Sequence, residues 1–348
     1  MNQENQENQE NQIIAASVTV VTVTYGNRKD MLVEVLEGCR ANGITNFVIV
    51  NNGASWDVET LRRYFQACDL IIVNMNGNKG PAAGYGAGIK KALENDRCEL
   101  LWLLDDDLAP EKGCLVNLAS EYHGLVQNNP EHCAAVLAAR EEFVKVLASD
   151  DSRRLMNPRK NTFLEFSVAD IWPKLRKRLP WRRRRPVYGD IPNTFSIQMA
   201  PYGGLLFGRS VVEQIGLPNS KFILYVDDYE YTYRITQGGG SIMLVSSAML
   251  REQEACWNSG ETHNNSFNAW LSGPDFRAYY TARNMTYFER NMRTSGIVIY
   301  CVNKYTYLFI LSIVALVSNR RSRMHLLREA ANAGLSKRLG INNRYPLP

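Results

Sequence analysis

Residues 101–110 read LWLLDDDLAP: an apolar run meets Asp105, Asp106 and Asp107, and Pro110 closes the turn. So dense an apolar run suits a strand covered on both faces, and such strands belong to parallel sheets sandwiched by helices. Three neighbouring carboxylates repel one another by roughly 4 kcal/mol per pair at ~4 Å and an effective dielectric near ~20. That is tolerable where the acids fan into water, or where something cationic sits among them. On an extended segment Asp105 and Asp107 project to one side and Asp106 to the other.

Working outward, SVTVVTVTY (17–25), NFVIVNN (46–52), DLIIVN (69–74) and ELLWLL (99–104) read as strands, and CAAVLAA (133–139) as a fifth. Helical spacing separates them. Asp30 starts a helix whose Met31, Leu32, Val35, Leu36 and Cys39 share a face and which Gly43 ends. Further helical patterns cover 57–67, a segment ending near Asn95, and 112–125. Strands alternating with helices in units of this length predict an α/β fold: right-handed βαβ crossovers and a mostly parallel sheet flanked by helices. Ligands then bind beyond the carboxyl ends of the strands. Asn51, Asn52, Asn78 and the three aspartates fall there.

Residues 140–200 break the rhythm and read as an irregular, basic insertion over the active-site face. YGGLLFGRSVVEQIG (202–216) restores it with a strand and a helix. FILYVDDYEYTYRITQGG (222–239) follows as a strand-like run and a helix, and SIMLVSS (241–247) as a strand. The tail reads as helices over 275–292, the apolar 297–317, and RMHLLREAANAGLSKRLG (323–340). The expected organisation is a disordered tail at 1–14, an α/β domain over 15–274, and a helical C-terminal region over 275–348.

At 348 residues and 45% hydrophobic, the chain can bury a large core. Its seven cysteines are scattered without CxxC spacing, which argues against disulfides or structural zinc and for a reducing cytosol. MNQENQENQENQ (1–12) has no apolar core and is no signal peptide. The net charge of +5 is clustered: KLRKRLPWRRRR (174–185) carries eight Lys or Arg. Such a run suits phosphate-rich partners, nucleic acid or an anionic membrane. Interleaved Trp172, Leu175, Leu179 and Trp181 favour the membrane surface over nucleic acid. Residues 297–317 approach transmembrane length, but Asn303 and Lys304 interrupt them, so a buried or interfacial helix is expected. Residues 172–185 and 297–317 together point to a peripheral protein on the cytoplasmic side of a membrane.

Hard carboxylate oxygens suit Mg²⁺ or Mn²⁺, which bind diphosphates through one or two carboxylates. A triplet of aspartates alone is a weak signal. A second acidic pair, Asp227–Asp228, with Glu230 close behind, precedes a helix. An acid placed there acts as a general base toward a hydroxyl, or Asp228 merely caps the helix. NKGPAAGYGAGIKKA (78–92) lacks the GK[ST] of a P-loop and the placement of a dinucleotide fingerprint. Its glycines let backbone approach a ligand, or let a helix pack tightly on the sheet.

Seven motifs, TYGNR (24–28), IVNNGAS (49–55), NKGPAAGYGAG (78–88), LLDDD (103–107), GGLLFGR (203–209), LYVDDYEYTYR (224–234) and YYTARN (279–284), come in one order. In that order and spacing the chain resembles family 2 inverting glycosyltransferases, most closely the bacterial rhamnosyltransferase and galactofuranosyltransferase branch. The resemblance implies a GT-A fold, with Mn²⁺ or Mg²⁺ holding a nucleotide-diphosphate sugar, UDP-galactofuranose or dTDP-rhamnose. It implies that Thr24, Tyr25, Arg28 and Asn52 line the nucleoside pocket, although the family more often has Asp where this chain has Asn51. Asn78, Gly80 and Gly84 would approach the diphosphate or sugar, and Asp105 and Asp106 would also serve the donor. Asp107 and Asp105 match the metal-binding DxD, and His263 is the candidate third ligand. Asp228 matches the catalytic base, with Asp227 and Glu230 positioning a glycan or lipid-linked acceptor. A second copy of the chain is a further candidate partner. Two rival readings stand beside this one: a sugar nucleotidyltransferase, and a non-enzymatic membrane or nucleic-acid binding protein.

Overall fold

The structure is a computed structural model that describes residues 14–147, 157–172, 192–254 and 270–347. The repeat of 1–12, the basic run 174–185 and His263 lie outside the described residues. The chain divides into two compact units. The first takes its residues from Met1–Met156, Gly189–Ser220 and Asp228–Ala255, and the second from Asn157–Tyr188, Lys221–Asp227 and Cys256–Pro348.

Among the described residues the first unit is built on nine strands: β1 (Val18–Gly26), β2 (Asn46–Ala54), β3 (Asp69–Asn74), β4 (Leu100–Asp105), β5 (Leu108–Pro110), β6 (Ala134–Arg140), β7 (Thr194–Ile197), β8 (Leu205–Gly208) and β9 (Ser241–Glu252). Their order is β3-β2-β1-β4-β8-β6-β9-β5, with β7 pairing β9. The run β3-β2-β1-β4 is parallel, as the alternating pattern predicts. β8 then enters antiparallel between β4 and β6, and β6 returns to a parallel pairing with β9. An apolar LLFG reads the same in either direction, so composition carries no signal for that reversal.

Helices cover both faces. On one, α1 (Lys29–Ala41) contributes Leu32, Val35, Leu36 and Cys39 to a core that includes Val18 and Val20 of β1 and Trp102 and Leu104 of β4. On the other, α3 (Pro81–Ala92) supplies Tyr85 and Ile89 to a core with Val21, Val23, Leu101 and Leu103. Alternate residues of one strand thus feed opposite layers. α4 (Cys114–Asn128), α5 (Glu141–Leu147), α6 (Arg209–Ile215) and α7 (Asp227–Gln237) follow. The helix expected over 57–67 shrinks to a 3₁₀ turn, Val58–Thr60, and the single turn α2 (Leu61–Tyr64), which still bury Val58, Leu61 and Phe65 in the core. The strand-like run before Asp227 is not a strand: Tyr225 (φ 64°) and Val226 (φ 67°) adopt left-handed backbone and interrupt it.

In the second unit α8 (Asp275–Met292), α9 (Ile297–Val317) and α10 (Arg321–Leu335) pack together with residues 157–172, which the sequence groups with an insertion. A Cβ at Gly334 would run into the Arg283 carbonyl oxygen and reach Thr286 Cβ at 3.0 Å, so α10 lies hard against α8. The buried Glu289 ties 162–165 to α8, accepting from Thr162 Oγ1 (2.6 Å), Leu164 N (2.7 Å) and Glu165 N (2.9 Å). Burial pushes this carboxyl up to about 7, against those hydrogen bonds.

Candidate active site

The strand alternation that divides β4 between two cores also divides its acids. Asp105 lies on the α3 side, where Tyr85 Oη is 2.7 Å from its Oδ1 and 2.9 Å from the Leu104 carbonyl oxygen. Asp106 lies on the α1 side, where Arg28, the residue preceding that helix, donates to it at 2.6 Å. Arg28 also reaches Asp107 at 3.3 Å and pairs with Glu254. From the end of β6, Arg140 donates to Asp105 (3.4 Å) and to the Gly203 carbonyl (3.2 Å). A Cβ at Gly203 would collide with the Asp105 carboxylate and come within 2.8 Å of Arg140 Nη2. The glycine therefore leaves room for this ion pair.

Charge and burial separate the three acids. The Asp106 side chain is 3% exposed against 37% for Asp105 and 21% for Asp107, so only the outer two are open to a ligand. Burial pushes Asp106 up to about 6, with Arg28 and Thr24 working against it. Burial raises Asp107 as well, and the Asp105 charge adds to it, while Arg28 and Arg140 oppose. Two accessible carboxylates that repel one another are a donor set a divalent cation would relieve. Among the described residues no group of three or more His, Cys, Asp or Glu could hold a metal. Mg²⁺ and Mn²⁺ need no such cage, since they keep waters and take the rest of their shell from phosphates. Asp105 and Asp107 fit the requirement. His263 lies outside the described residues.

The second acidic pair arrives from another part of the chain. Asp228 sits in the first turn of α7, half-buried, and accepts from the Tyr229 amide at 2.8 Å. Burial pushes it up to about 6; the Asp105 charge adds to that, while Arg140 opposes. Asp105, Arg140 and Asp228 thus share one electrostatic neighbourhood. Glu230 is turned inward and clasped by Arg234, which donates at 3.0 Å and also holds the carbonyls of Ile215 and Leu217, each at 3.1 Å. This engagement ties α7 to the chain after α6. Asp227 is buried at the start of α7.

In the second unit, the turn that leads into Asp227 is held by Asn284. Its side-chain amide donates to the carbonyls of Leu224 (2.8 Å) and Tyr225 (3.0 Å), and the residue is fully buried. The LYV and YYTARN motifs are therefore one structural device: the second fixes the left-handed turn of the first.

The remaining sequence candidates gather at the ends of β1 and β2. Thr24 is fully buried beside Asp106, and Tyr25 is 42% exposed, with the Arg28 guanidinium 4.9 Å from its ring centroid. Asn52 is buried and knits β2 to the Gly-rich loop: it donates to Asn78 Oδ1 (3.3 Å) and the Gly80 carbonyl (3.2 Å) and accepts from the Lys79 amide (2.9 Å). Asn51 instead bonds Asn74 Oδ1 at 2.9 Å, bridging β2 and β3. Gly80 (φ 85°) turns the chain into Pro81. Gly84 has a packing role, because a Cβ there would come within 2.7 Å of Val23 Cγ1.

Tyr85, Arg140 and Gly203 were not singled out from the sequence. Each had a signal: Tyr85 interrupts a run of small residues, Arg140 ends an apolar strand at its carboxyl end, and Gly203 precedes the LLFG strand.

Comparison with known proteins places this geometry. The model of Glycosyl transferase family 2 matches residues 19–197. The low-salt glycan biosynthesis hexosyltransferase Agl10 of Haloferax volcanii is 23% identical over 217 residues, covering 62% of this chain and 61% of the relative. The crystal structure of GalNAc-T7 with UDP, GalNAc and Mn2+ superposes with a TM-score of 0.54 at 12% identity, over 96% of this chain and 59% of that one. The chain thus spans about three fifths of the length of either relative, and the structural likeness concerns the GT-A fold.

Proposed function

The chain belongs to glycosyl transferase family 2, and on that premise we infer that it transfers a hexosyl group, with inversion, from a nucleotide-diphosphate sugar to a hydroxyl of a glycan or lipid-linked acceptor. The observation that carries the reading is the shared neighbourhood of Asp105, Arg140 and Asp228. One acid belongs to the cluster suited to a cation-bound diphosphate. The other is half-buried, with a pKa near about 6, and so is ionised at neutral pH and competent to accept a proton. The hexosyltransferase relative supports the class of sugar.

Asp105 and Asp107 would hold Mn²⁺ or Mg²⁺. When bound, that ion would neutralise charge developing on the departing nucleoside diphosphate. Arg28 keeps Asp106 paired and also reaches one oxygen of Asp107, leaving the 21%-exposed side chain its other oxygen for a cation. Asp228 removes the acceptor hydroxyl proton as the oxygen attacks the anomeric carbon from the face opposite the leaving group, so no covalent sugar–protein intermediate forms. Tyr25, on the exposed edge beside Arg28, offers a ring face to a nucleobase. UDP-galactofuranose and dTDP-rhamnose are the donors proposed, the first favoured by the acid triplet and the DDxE pattern.

The test is donor consumption across a panel of nucleotide sugars, with and without Mn²⁺, followed by anomeric analysis of the product. Metal-dependent release of a nucleoside diphosphate with inverted product is expected. Turnover of a nucleoside triphosphate with a sugar phosphate, in place of a sugar donor, would make the protein a nucleotidyltransferase.

A further inference from the structure

α9 has two apolar faces and only one of them is packed. Tyr300, Asn303, Tyr307, Leu311 and Ala315 form the inward stripe. Tyr307 meets Phe166 with ring centroids 4.9 Å apart. Asn303, fully buried, accepts from the Val168 amide (2.9 Å) and donates to the Asn161 carbonyl (2.7 Å). Opposite them, Val298, Val302, Tyr305, Phe309, Ile313 and Leu316 are 48–72% exposed. At ~100° per residue these six fall within about 80° of arc, a continuous strip roughly 30 Å long. The helix is long and apolar enough to cross a membrane by length and composition, with a hydropathy of 1.7. Its inward face is bonded to backbone of 161–168, however, which leaves one side for lipid. A helix apolar all round that packs along one side has an unassigned interface.

Charge identifies the occupant. Residues 157–172, which pack on α9, leave the described chain at Trp172, itself 69% exposed. The next residues are PKLRKRLPWRRRR, so eight Lys or Arg within twelve positions follow directly from the segment packed on the strip's own helix. Arg321 begins α10 exposed, one turn beyond the end of the strip's helix, whereas Lys304 falls half-buried on the packed side. An apolar strip on a unit whose chain continues into so cationic a sequence has the chemistry of an anionic lipid surface: acyl chains for the strip, phosphate headgroups for the cations. A second copy of this chain would carry the same positive charge, which disfavours it as the occupant.

We propose that the exposed strip of α9 lies in the interfacial plane of a bilayer carrying anionic phospholipids, with the helix parallel to the surface and not across it. The proposal stands apart from the transferase reading, because binding is measured without turnover.

Full-length protein is sedimented with vesicles of phosphatidylcholine alone and of phosphatidylcholine mixed with phosphatidylglycerol. Binding to the mixed vesicles is expected to exceed binding to the neutral ones by at least about tenfold, to weaken as salt is raised, and to be reversed by an alkaline wash. Val302→Glu with Phe309→Glu, both at outward positions, should lower that binding by about tenfold or more while circular dichroism and Tm remain those of the parent. If that variant does not fold, Val302→Ser with Phe309→Ser serves with the same criteria. Equal binding by a folded variant, equal binding to neutral vesicles, or protein retained through the alkaline wash would each overturn the proposal. So would a parent that ignores both vesicle types and forms dimers that the substitutions dissociate.

Discussion

The two acidic clusters hold their carboxylates by different physics. Asp105, Asp106 and Asp107 are balanced by fixed cations: Arg28 at 2.6 Å from Asp106 and Arg140 at 3.4 Å from Asp105. Among the described residues Asp228 accepts no arginine hydrogen bond; it sits at a helix start that follows two left-handed residues, and burial raises its pKa while the Arg140 charge opposes. Burial raises Asp106 and Asp107 too, but there Arg28, at hydrogen-bond distance from both, works against it and favours the charged form that holds a cation. The arrangement at Asp228 suits a group that must exchange a proton near neutral pH. Removing a side chain from each cluster should therefore fail in different observables.

The largest effect is expected for Asp228→Asn. Transfer should fall by at least ~10² while nucleotide-sugar affinity is unchanged, since a general base contributes on that scale. Because the Asp228 pKa is raised to about 6, its ionised fraction grows as pH rises through that value. The parent rate should thus climb from pH 5 to a plateau above about 7, and near-normal transfer in the variant would remove Asp228 from the chemistry. Asp107→Ala should act on the other observable, abolishing Mn²⁺-dependent affinity for a nucleoside diphosphate in calorimetry. Retained affinity at saturating Mn²⁺ would show that the triplet does not serve the metal.

A third substitution separates strain from charge. Left-handed backbone costs an L-residue ~1–2 kcal/mol, and here it falls on Tyr225 and the β-branched Val226. Asn284 offsets this through its two hydrogen bonds to Leu224 and Tyr225. Asn284→Ala should lower kcat about tenfold, the equivalent of ~1.4 kcal/mol, with the donor KM unchanged. Adding Val226→Gly makes the left-handed conformation inexpensive and should restore most of the loss. If the glycine brings no rescue, Asn284 supports the fold generally and has no special bearing on Asp228.

How far the sequence could be read tracks the range of the forces involved. β3 is found at 69–74 and α8 at 275–292, as the patterns predict, because β-branched runs and helical spacing are local signals. The reversal of β8 was not legible, since strand direction depends on where the chain travels and not on LLFG itself. The acids at strand ends were legible because alternation and topology follow from pattern. Arg140 was not, because its partner Asp105 lies 35 residues away and only the pairing of β6 with β8, beside β4, brings them together. The left-handed turn at Tyr225–Val226 was hidden for a different reason: its sequence favours a strand, and the tertiary hydrogen bonds of Asn284 override that preference.

The smallest effect on turnover is expected where the sequence offered two roles for one residue. Gly84 was a candidate for close approach to the donor, yet its missing Cβ faces Val23 Cγ1 at 2.7 Å, within the core between α3 and β1. Alanine favours a helix interior over glycine by ~0.5–1 kcal/mol, but overpacking a rigid β-branched neighbour costs ~1–3 kcal/mol. Gly84→Ala should therefore lower Tm while leaving donor KM near the parent value. Val23→Ala in the same chain opens the space and should recover part of the lost stability, a coupling measurable by a double-mutant cycle. A raised donor KM without a change in Tm would instead assign Gly84 to the sugar-nucleotide site, and the tight seating of α3 would then rest on Gly88, whose own Cβ would meet Val21 Cγ1 at 2.5 Å.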